Sequence, residues 1–152
     1  MKLKTKKGEE FLIDDEDFSK IKDYKWHIHT GKCKYKYLSS IIDKKLILLH
    51  RLITNCPRGR EVDHINNDGL DNRKCNLRIC THSENIMNSK RNSRNTTGFK
   101  GVSLVGRKFL AQLVVNKKYI YIGIFNTITS ATRAYNNAAI KYHGEFAQIN
   151  KI

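Results

Sequence analysis

The feature that most limits how this chain can fold is a nine-residue stretch, Ser89 to Thr97 (SKRNSRNTT), that contains no apolar side chain and carries Lys90, Arg91 and Arg94. With nothing to bury, such a segment reads as a linker, and the chain on either side of it must build its own core. This sets an N-terminal piece over residues 1–91, a basic linker over 92–98 and a C-terminal domain over 99–152. The hydrophobic content of 39% in 152 residues suffices for two modest cores and little more.

Both pieces are basic. The chain carries a net charge of +15, of which residues 98–152 contribute eight basic and one acidic side chain. A field of that sign favours polyanions and speeds their association, with nucleic acid the leading partner. Charge alone does not separate a DNA binder from an RNA-binding or membrane-surface protein, so motifs must decide. No apolar run reaches the length of a membrane span, and the start MKLKTKKGEE has no apolar core after it, which points to a soluble, intracellular chain. Of the four cysteines, Cys75 and Cys80 are five apart while Cys33 and Cys56 have no near partner, a spacing that argues against structural zinc and for free thiols.

Before the linker, an acidic run from Asp14 to Asp17 is expected to open a helix through Lys22. Three short runs, Lys25 to His29, Tyr35 to Ile41 and Lys45 to Leu49, are separated by Gly31 and by a turn at Asp43 and read as a small antiparallel sheet. After the linker, Lys100 to Val105, Lys108 to Val115 and Lys118 to Phe125 form a three-stranded meander with turns at Gly106 and Asn116. Ala131, Ala134, Tyr135, Ala138, Ala139 and Tyr142 then mark one apolar stripe on a helix over Thr129 to His143, capped by Thr129 and Gly144. The fold class is α+β.

The stretch from Glu61 to Arg91 carries the chemistry. It reads as strand (Glu61 to His64), Asx-rich loop, strand (Leu77 to Ile79) and a helix opened by a capping box of Thr81 and Glu84. Adjacent residues on a strand face opposite ways, so one of Asp63 and His64 can hold a metal while the other faces a nucleophile. Phosphodiester hydrolysis needs both roles, a hard cation for the developing charge and a base for water, and His64 has the intrinsic pKa of a base. The bland reading is that NNDGLDN only forms turns through side-chain to backbone bonds.

The succession His50-Arg51-Leu52-Ile53, then VDHINNDGLDNRKCNLR, then Ser83-Glu84-Asn85 resembles the HNH endonucleases of phage and mobile introns, in the homing-type variant that ends in Asn. The segment DDEDFSKIKDYKWHIH also resembles the N-terminal part of such enzymes. The resemblance implies a ββα-metal HNH core over about 48–91 behind an N-terminal antiparallel β-rich segment. It implies a catalytic set of His64, Asn76 and His50, with His64 as general base and Asn76 bracing the loop. Asp63 and Asn85 would ligate one divalent ion, and the Asn in third position favours Mg2+ or Mn2+ over zinc or nickel. His50 is either a phosphate neighbour or a packing residue. For His82, contact with phosphate or metal is the lesser reading, and His27 and His29 read as ordinary sheet residues.

In the meander, alternation places Phe109, Ala111 and Leu113 opposite Leu110, Gln112 and Val114, and Ile120, Ile122 and Ile124 opposite Tyr119, Tyr121 and Gly123. The Ile and Phe face is expected on the helix, leaving Tyr119, Tyr121, Gln112, Lys100 and Ser103 exposed as either a solvated face or a DNA reader. Residues from Gly98 to Asn150 are similar to the plant ethylene-response-factor (AP-two/ERF-like) DNA-binding domain through Gly101-Val102, Lys108-Phe109-Ala111, Ile122-Gly123-Ile124-Phe125, Ala134-Tyr135 and Ala138-Ala139. That resemblance implies a small three-stranded sheet packed on one helix, with Lys100, Ser103, Gln112, Val114, Tyr119 and Tyr121 meeting DNA beside Lys90, Arg91 and Arg94. Ser103 and Val114 stand where that family's readers are mostly Arg, so only the docking mode carries over. The expectation is a monomeric, metal-dependent endonuclease acting on double-stranded DNA in the cytoplasm of a phage-infected bacterial host or in a nucleus, leaving a 3′ hydroxyl and a 5′ phosphate. The alternative is a non-catalytic DNA-binding transcription regulator.

Overall fold

The computed structural model describes residues 1–30 and 35–152. The expected break at Gly31 and the side chain of Cys33 lie outside the described residues. The chain is a mixed α/β protein of several small antiparallel sheets, and it divides into two compact units, Met1–His82 and Ser83–Ile152.

The first unit opens with a hairpin, β1 (Lys2–Lys4) against β2 (Glu10–Leu12). Its 5–9 turn is held from inside by Thr5, whose hydroxyl accepts from the backbone N–H groups of Lys7 and Glu9. The expected helix after Asp14 is short: a 3-10 turn over Asp15–Asp17, then α1 (Phe18–Ile21). A three-stranded antiparallel sheet follows, β3 (His27–Thr30), β4 (Lys36–Ile42) and β5 (Lys45–Leu48), with β4 central. Asp43 and Lys44 join β4 to β5 with φ of 48° and 63°, the doubly left-handed pair that matches the twist of a two-residue hairpin.

The strand expected to reach Leu49 ends at Leu48, and the chain turns directly into α2 (Leu49–Thr54), a helix the sequence pattern did not announce. Leu49 and Ile53, four apart, lie buried, and Asn55 closes the helix in the left-handed region at φ 48°. The hairpin β6 (Glu61–His64) and β7 (Leu77–Cys80) forms as expected, with Asp63 opposite Arg78 and His64 opposite Leu77. Phe11, Ile13, Ile21, Trp26, Leu38, Leu49, Ile53, Val62 and Leu77 make one core, supplied by β2, α1, β4, α2, β6 and β7 and by the segments beside them. The long loop between β6 and β7 is tied to the N-terminal hairpin by the Leu12 N–H on the Leu70 carbonyl and the Asn72 N–H on the Leu12 carbonyl, at 2.9 and 2.8 Å.

Helix α3 (His82–Asn88) leads into the second unit. There β8 (Val102–Val105), β9 (Lys108–Val115) and β10 (Lys118–Phe125) form an antiparallel meander with β9 central, followed by α4 (Ile128–His143). Part of the stretch expected as linker is folded. Asn95 Nδ2 donates to the carbonyls of Phe99 and Val102, and the Thr97 hydroxyl also donates to Val102, which lets polar side chains order a segment that has no apolar ones.

Three details of this unit correct the expectation. First, a bulge between Tyr121 and Gly123 shifts the alternation of β10, so that Ile124 is exposed and Phe125 takes the inner place opposite Phe109. An extra residue in one strand does this because side chains alternate with period two. Second, α4 is capped two residues earlier than expected: Thr127, not Thr129, accepts from the Ser130 N–H, while Gly144 at φ 54° closes the helix as expected. Third, the buried line of α4 is Ala131, Tyr135 and Ala139, joined by Thr132 and His143, and Tyr142 is exposed. The close approach falls at Gly101, where a Cβ would lie 2.0 Å from the Tyr135 ring; with φ at 72° the position accepts only glycine.

Candidate active site

Strand β6 delivers two adjacent polar residues into the protein: Asp63 is 4% and His64 is 5% exposed. Alternation gives them different neighbours. Asp63 meets its cross-strand partner Arg78, whose Nε and Nη2 lie 2.8 and 2.7 Å from the same carboxylate oxygen, so a buried negative charge is balanced where it emerges.

His64 meets two other rings. Its imidazole stands edge-on to His50, with centroids 5.1 Å apart, and 5.8 Å from the ring of Tyr37, which itself lies 5.3 Å from His50. Thus β4, α2 and β6 each supply one ring. His64 Nε2 lies 3.4 Å from Oδ1 of the fully buried Asn72, a long contact that can orient the imidazole through its tautomer. Burial holds the His64 pKa below the ordinary histidine value, against the opposing pull of the Asn72 contact and of Asp63, Asp68 and Asp71. The ring is therefore neutral near pH 7, the state a proton acceptor requires. His50 is pushed further, down to about 3, first by burial and then by His64 and Arg51, and its Nδ1 has no hydrogen-bond partner among the described residues. Two abutting imidazoles in an enclosed site cannot both be charged, and this pair is neutral.

The Asx-rich loop is a connected network, as the turn-forming reading of NNDGLDN expects. Asn76 bridges it from inside: Oδ1 accepts from the Asn66 N–H at 2.9 Å and Nδ2 donates to the Asp71 carbonyl at 2.8 Å. Asp71 accepts from Arg73 Nε and Nη2 and from Asn66 Nδ2, which holds its carboxyl below the usual range, with Arg73 the largest cause. Asp68 accepts from the Leu70 N–H. The loop thereby fixes the end of β6 where Asp63 and His64 sit.

The first unit thus gathers His50, His64, Asp63 and Asn76. His82 is exposed, with Nδ1 2.8 Å from Glu61 Oε1. Asn85 lies half-buried on α3, within the unit that begins at Ser83. Among the described residues no group of three His, Cys, Asp or Glu side chains is arranged to hold a metal, and Cys56, Cys75 and Cys80 are free thiols, which leaves no described cluster for zinc. Also among the described residues, no helix is long and apolar enough to cross a membrane.

On the second unit, register pairs Tyr119 with Val114, Tyr121 with Gln112 and Ser103 with Leu110 on the face turned from α4. Tyr119 and Tyr121 are 74% and 65% exposed, and Lys90, Arg91 and Arg94 are exposed too. Lys100 departs from the expected open position. Its ammonium donates to the carbonyls of Met87 and Ser89, both at 2.6 Å, and of Ile86 at 3.3 Å, because the last carbonyls of a helix have no partner within it. Sequence reasoning missed Tyr37, Asn72 and Arg78. Arg78 was within reach, since pairing the two expected strands sets it opposite Asp63; Asn72 was hidden among equivalent turn formers, and Tyr37 has no local signal.

Residues 48–87 match the HNH endonuclease family, a span that contains His50, Asp63, His64, Asn76 and Asn85. The chain is 31% identical over 138 residues to an HNH endonuclease of Acanthamoeba polyphaga mimivirus, covering 87% of this chain and 70% of that protein. A second similarity is partial: APETALA2-like protein 2 of Oryza sativa, in both the indica and japonica subspecies, is 44% identical over 62 residues, 38% of this chain and 14% of the plant protein. The chain belongs to the HNH endonuclease family and is a nuclease.

Proposed function

We propose that this nuclease is a metal-dependent DNA endonuclease of the homing type, with an HNH core over about 48–91 that cuts and a C-terminal domain over 99–152 that reads the site. The observation that carries the cutting role is the pair at the end of β6, a neutral buried imidazole beside a buried carboxylate, held by a loop whose own side chains satisfy one another. His64 accepts the proton of the attacking water. Asn72 and the ring of His50 orient it, and Asn76 braces the loop behind it. His50 serves as a neutral wall of the site, since a group with a pKa of about 3 gives no cation to a phosphate at neutral pH.

HNH nucleases generally use a divalent metal ion. Carboxylate and amide oxygens are hard donors, and so few protein ligands suit an ion that keeps several waters, so Asp63 and Asn85 are proposed to hold Mg2+ or Mn2+. When bound, the ion stabilises charge on the phosphate and the leaving oxygen.

The reading role rests on the exposed face of the meander, where Tyr119, Tyr121, Gln112, Val114 and Ser103 present aromatic and hydrogen-bonding groups to a groove, flanked by Lys90, Arg91 and Arg94 for phosphates. The partial likeness to the APETALA2-like proteins and the ethylene-response-factor pattern support it. Lys100 is reassigned from phosphate contact to the end of α3. Supercoiled plasmid incubated with and without Mg2+ tests the proposal: relaxation or linearisation is expected only with the ion, and a His64→Ala chain is expected to leave the plasmid supercoiled. Metal-independent cleavage would refute the metal dependence.

A further inference from the structure

The first unit has a second concave feature, built from residues the cutting role does not use. A cleft of about 270 Å³ is lined by Lys6, Lys22, Lys25, Phe11, Tyr24 and Trp26. Its exposed aromatic is Tyr24, which stands edge-on to Trp26 with centroids 6.4 Å apart; Trp26 and Phe11 form the floor as buried members of the core, and the Trp26 N–H is already bonded to the Ile21 carbonyl. Its rim is cationic. Lys4, also in the lining, is matched by Glu10 at 3.6 Å, whereas Lys6, Lys22 and Lys25 show no carboxylate partner among the described residues. Asp23 lies between Lys22 and Lys25 in sequence but outside the lining.

The hairpin turn and the end of α1 thus place Lys6, Lys22 and Lys25 along one opening without an ion pair among the described residues. A ligand that complements them is anionic, and one that also uses Tyr24 carries a flat or apolar part next to the charge. A nucleotide within a nucleic-acid strand has both features, and lysine-rimmed aromatic surfaces are how strands are held without base readout.

We propose that this cleft binds a nucleotide of the DNA strand outside the reaction centre, its phosphate on Lys22, Lys25 and Lys6 and its sugar or base against Tyr24, above the buried Trp26. The proposal rests on the reading of the protein as a DNA endonuclease. It makes the N-terminal segment an additional anchor for DNA.

Trp26 is the single tryptophan of the chain, which gives the cleft its own probe. The experiment titrates full-length protein with a random-sequence duplex at several salt concentrations, without divalent ions so that nothing is cut, and compares wild type with Lys22→Ala/Lys25→Ala. Lys44→Ala/Lys45→Ala, which removes the same charge at the exposed turn between β4 and β5, is the control. DNA is expected to shift Trp26 emission, and the cleft variant is expected to lower the slope of log affinity against log salt by about two, at roughly 0.9 per phosphate contact, while the control leaves it unchanged. A slope lowered equally in both variants, or in neither, would overturn the cleft. Plasmid cleavage with Mg2+ keeps the two readings apart: cleavage by wild type with a slope unchanged in the cleft variant ends the cleft alone, and a slope lowered in the cleft variant while wild type never cuts ends the DNA-cutting reading alone.

Discussion

The two units put their polar groups in opposite places. Of the first unit's buried residues many are polar, among them Thr5, Asp17, Ser39, Ser40, His50, Asp63, His64, Asp71, Asn72 and Asn76; among the second unit's described residues the buried polar ones are Asn88, Thr132 and His143. The first unit accepts the desolvation of charges and imidazoles in its interior, which a reaction centre needs because fixed groups in a dry site act most strongly on a substrate. The second packs Val102, Ala111, Leu113, Ala131, Tyr135 and Ala139 together and sets its hydrogen-bonding groups on an open face. Chemistry is therefore expected to fail by changes inside the first unit, and recognition by changes on the surface of the second.

The largest expected effect is at His64. Replacement by Ala removes the proposed proton acceptor and is expected to lower the cleavage rate by about two to four orders of magnitude, with DNA affinity nearly unchanged. Matched single-turnover and binding assays check this, and equal cleavage by both chains would take His64 out of the mechanism. In the second unit the largest effect is structural. Gly101→Ala drives a Cβ into the Tyr135 ring and strains a left-handed backbone, for about 2–4 kcal/mol. Urea unfolding should show this loss while cleavage of non-specific DNA persists; an unchanged midpoint would contradict the close approach.

Acid should affect both units through their histidines. His50 and His64 in the first unit and His143 in the second all have folded-state pKa values below 6.5, with burial the leading cause. The unfolded chain then takes up more protons than the folded one as pH drops below about 6.5, so the stability these groups give is complete above that pH and is lost toward about 3, where His50 titrates. Between pH 7 and 4.5, above most carboxylate titration, the melting temperature followed by Trp26 emission should fall, and His50→Leu should flatten that fall. A melting temperature constant across the window would show that burial does not set these protonation states. The smallest effect is at Lys100, where Ala removes the ammonium from the end of α3 at a cost of about 1 kcal/mol. The salt slope of DNA binding should not move; a drop of about one would return Lys100 to the phosphate-contact role.

Much of this was legible along the chain because turns and alternation are local signals. Asp43 and Asn116 mark hairpin turns that form with positive φ, and the spacing of Asp63 to Leu77 anticipates the β6–β7 hairpin. Other features depend on tertiary contacts. Nothing local separates LHRLIT from the strand before it, and α2 forms because Leu49 and Ile53 find the core. The bulge in β10 is invisible in a sequence that alternates through it, and Thr127 and Thr129 are equal candidates until the end of β10 fixes where the helix begins. In the site, Asp63 and His64 stand out by adjacency, whereas the meeting of Tyr37, His50 and His64 joins three elements far apart in sequence.

The division of labour is tested most directly by measuring cleavage rate and site preference together in two chains, His64→Ala and Tyr121→Ala, with the ratio of affinity for a selected site to affinity for random duplex taken at one fixed salt concentration. A crossed result is expected: His64→Ala loses cleavage and keeps the ratio, while Tyr121→Ala keeps the rate on bound DNA and lowers the ratio, by about 1–3 kcal/mol if it meets a base edge. Loss of both properties in either chain, or a ratio untouched by Tyr121→Ala, would contradict it.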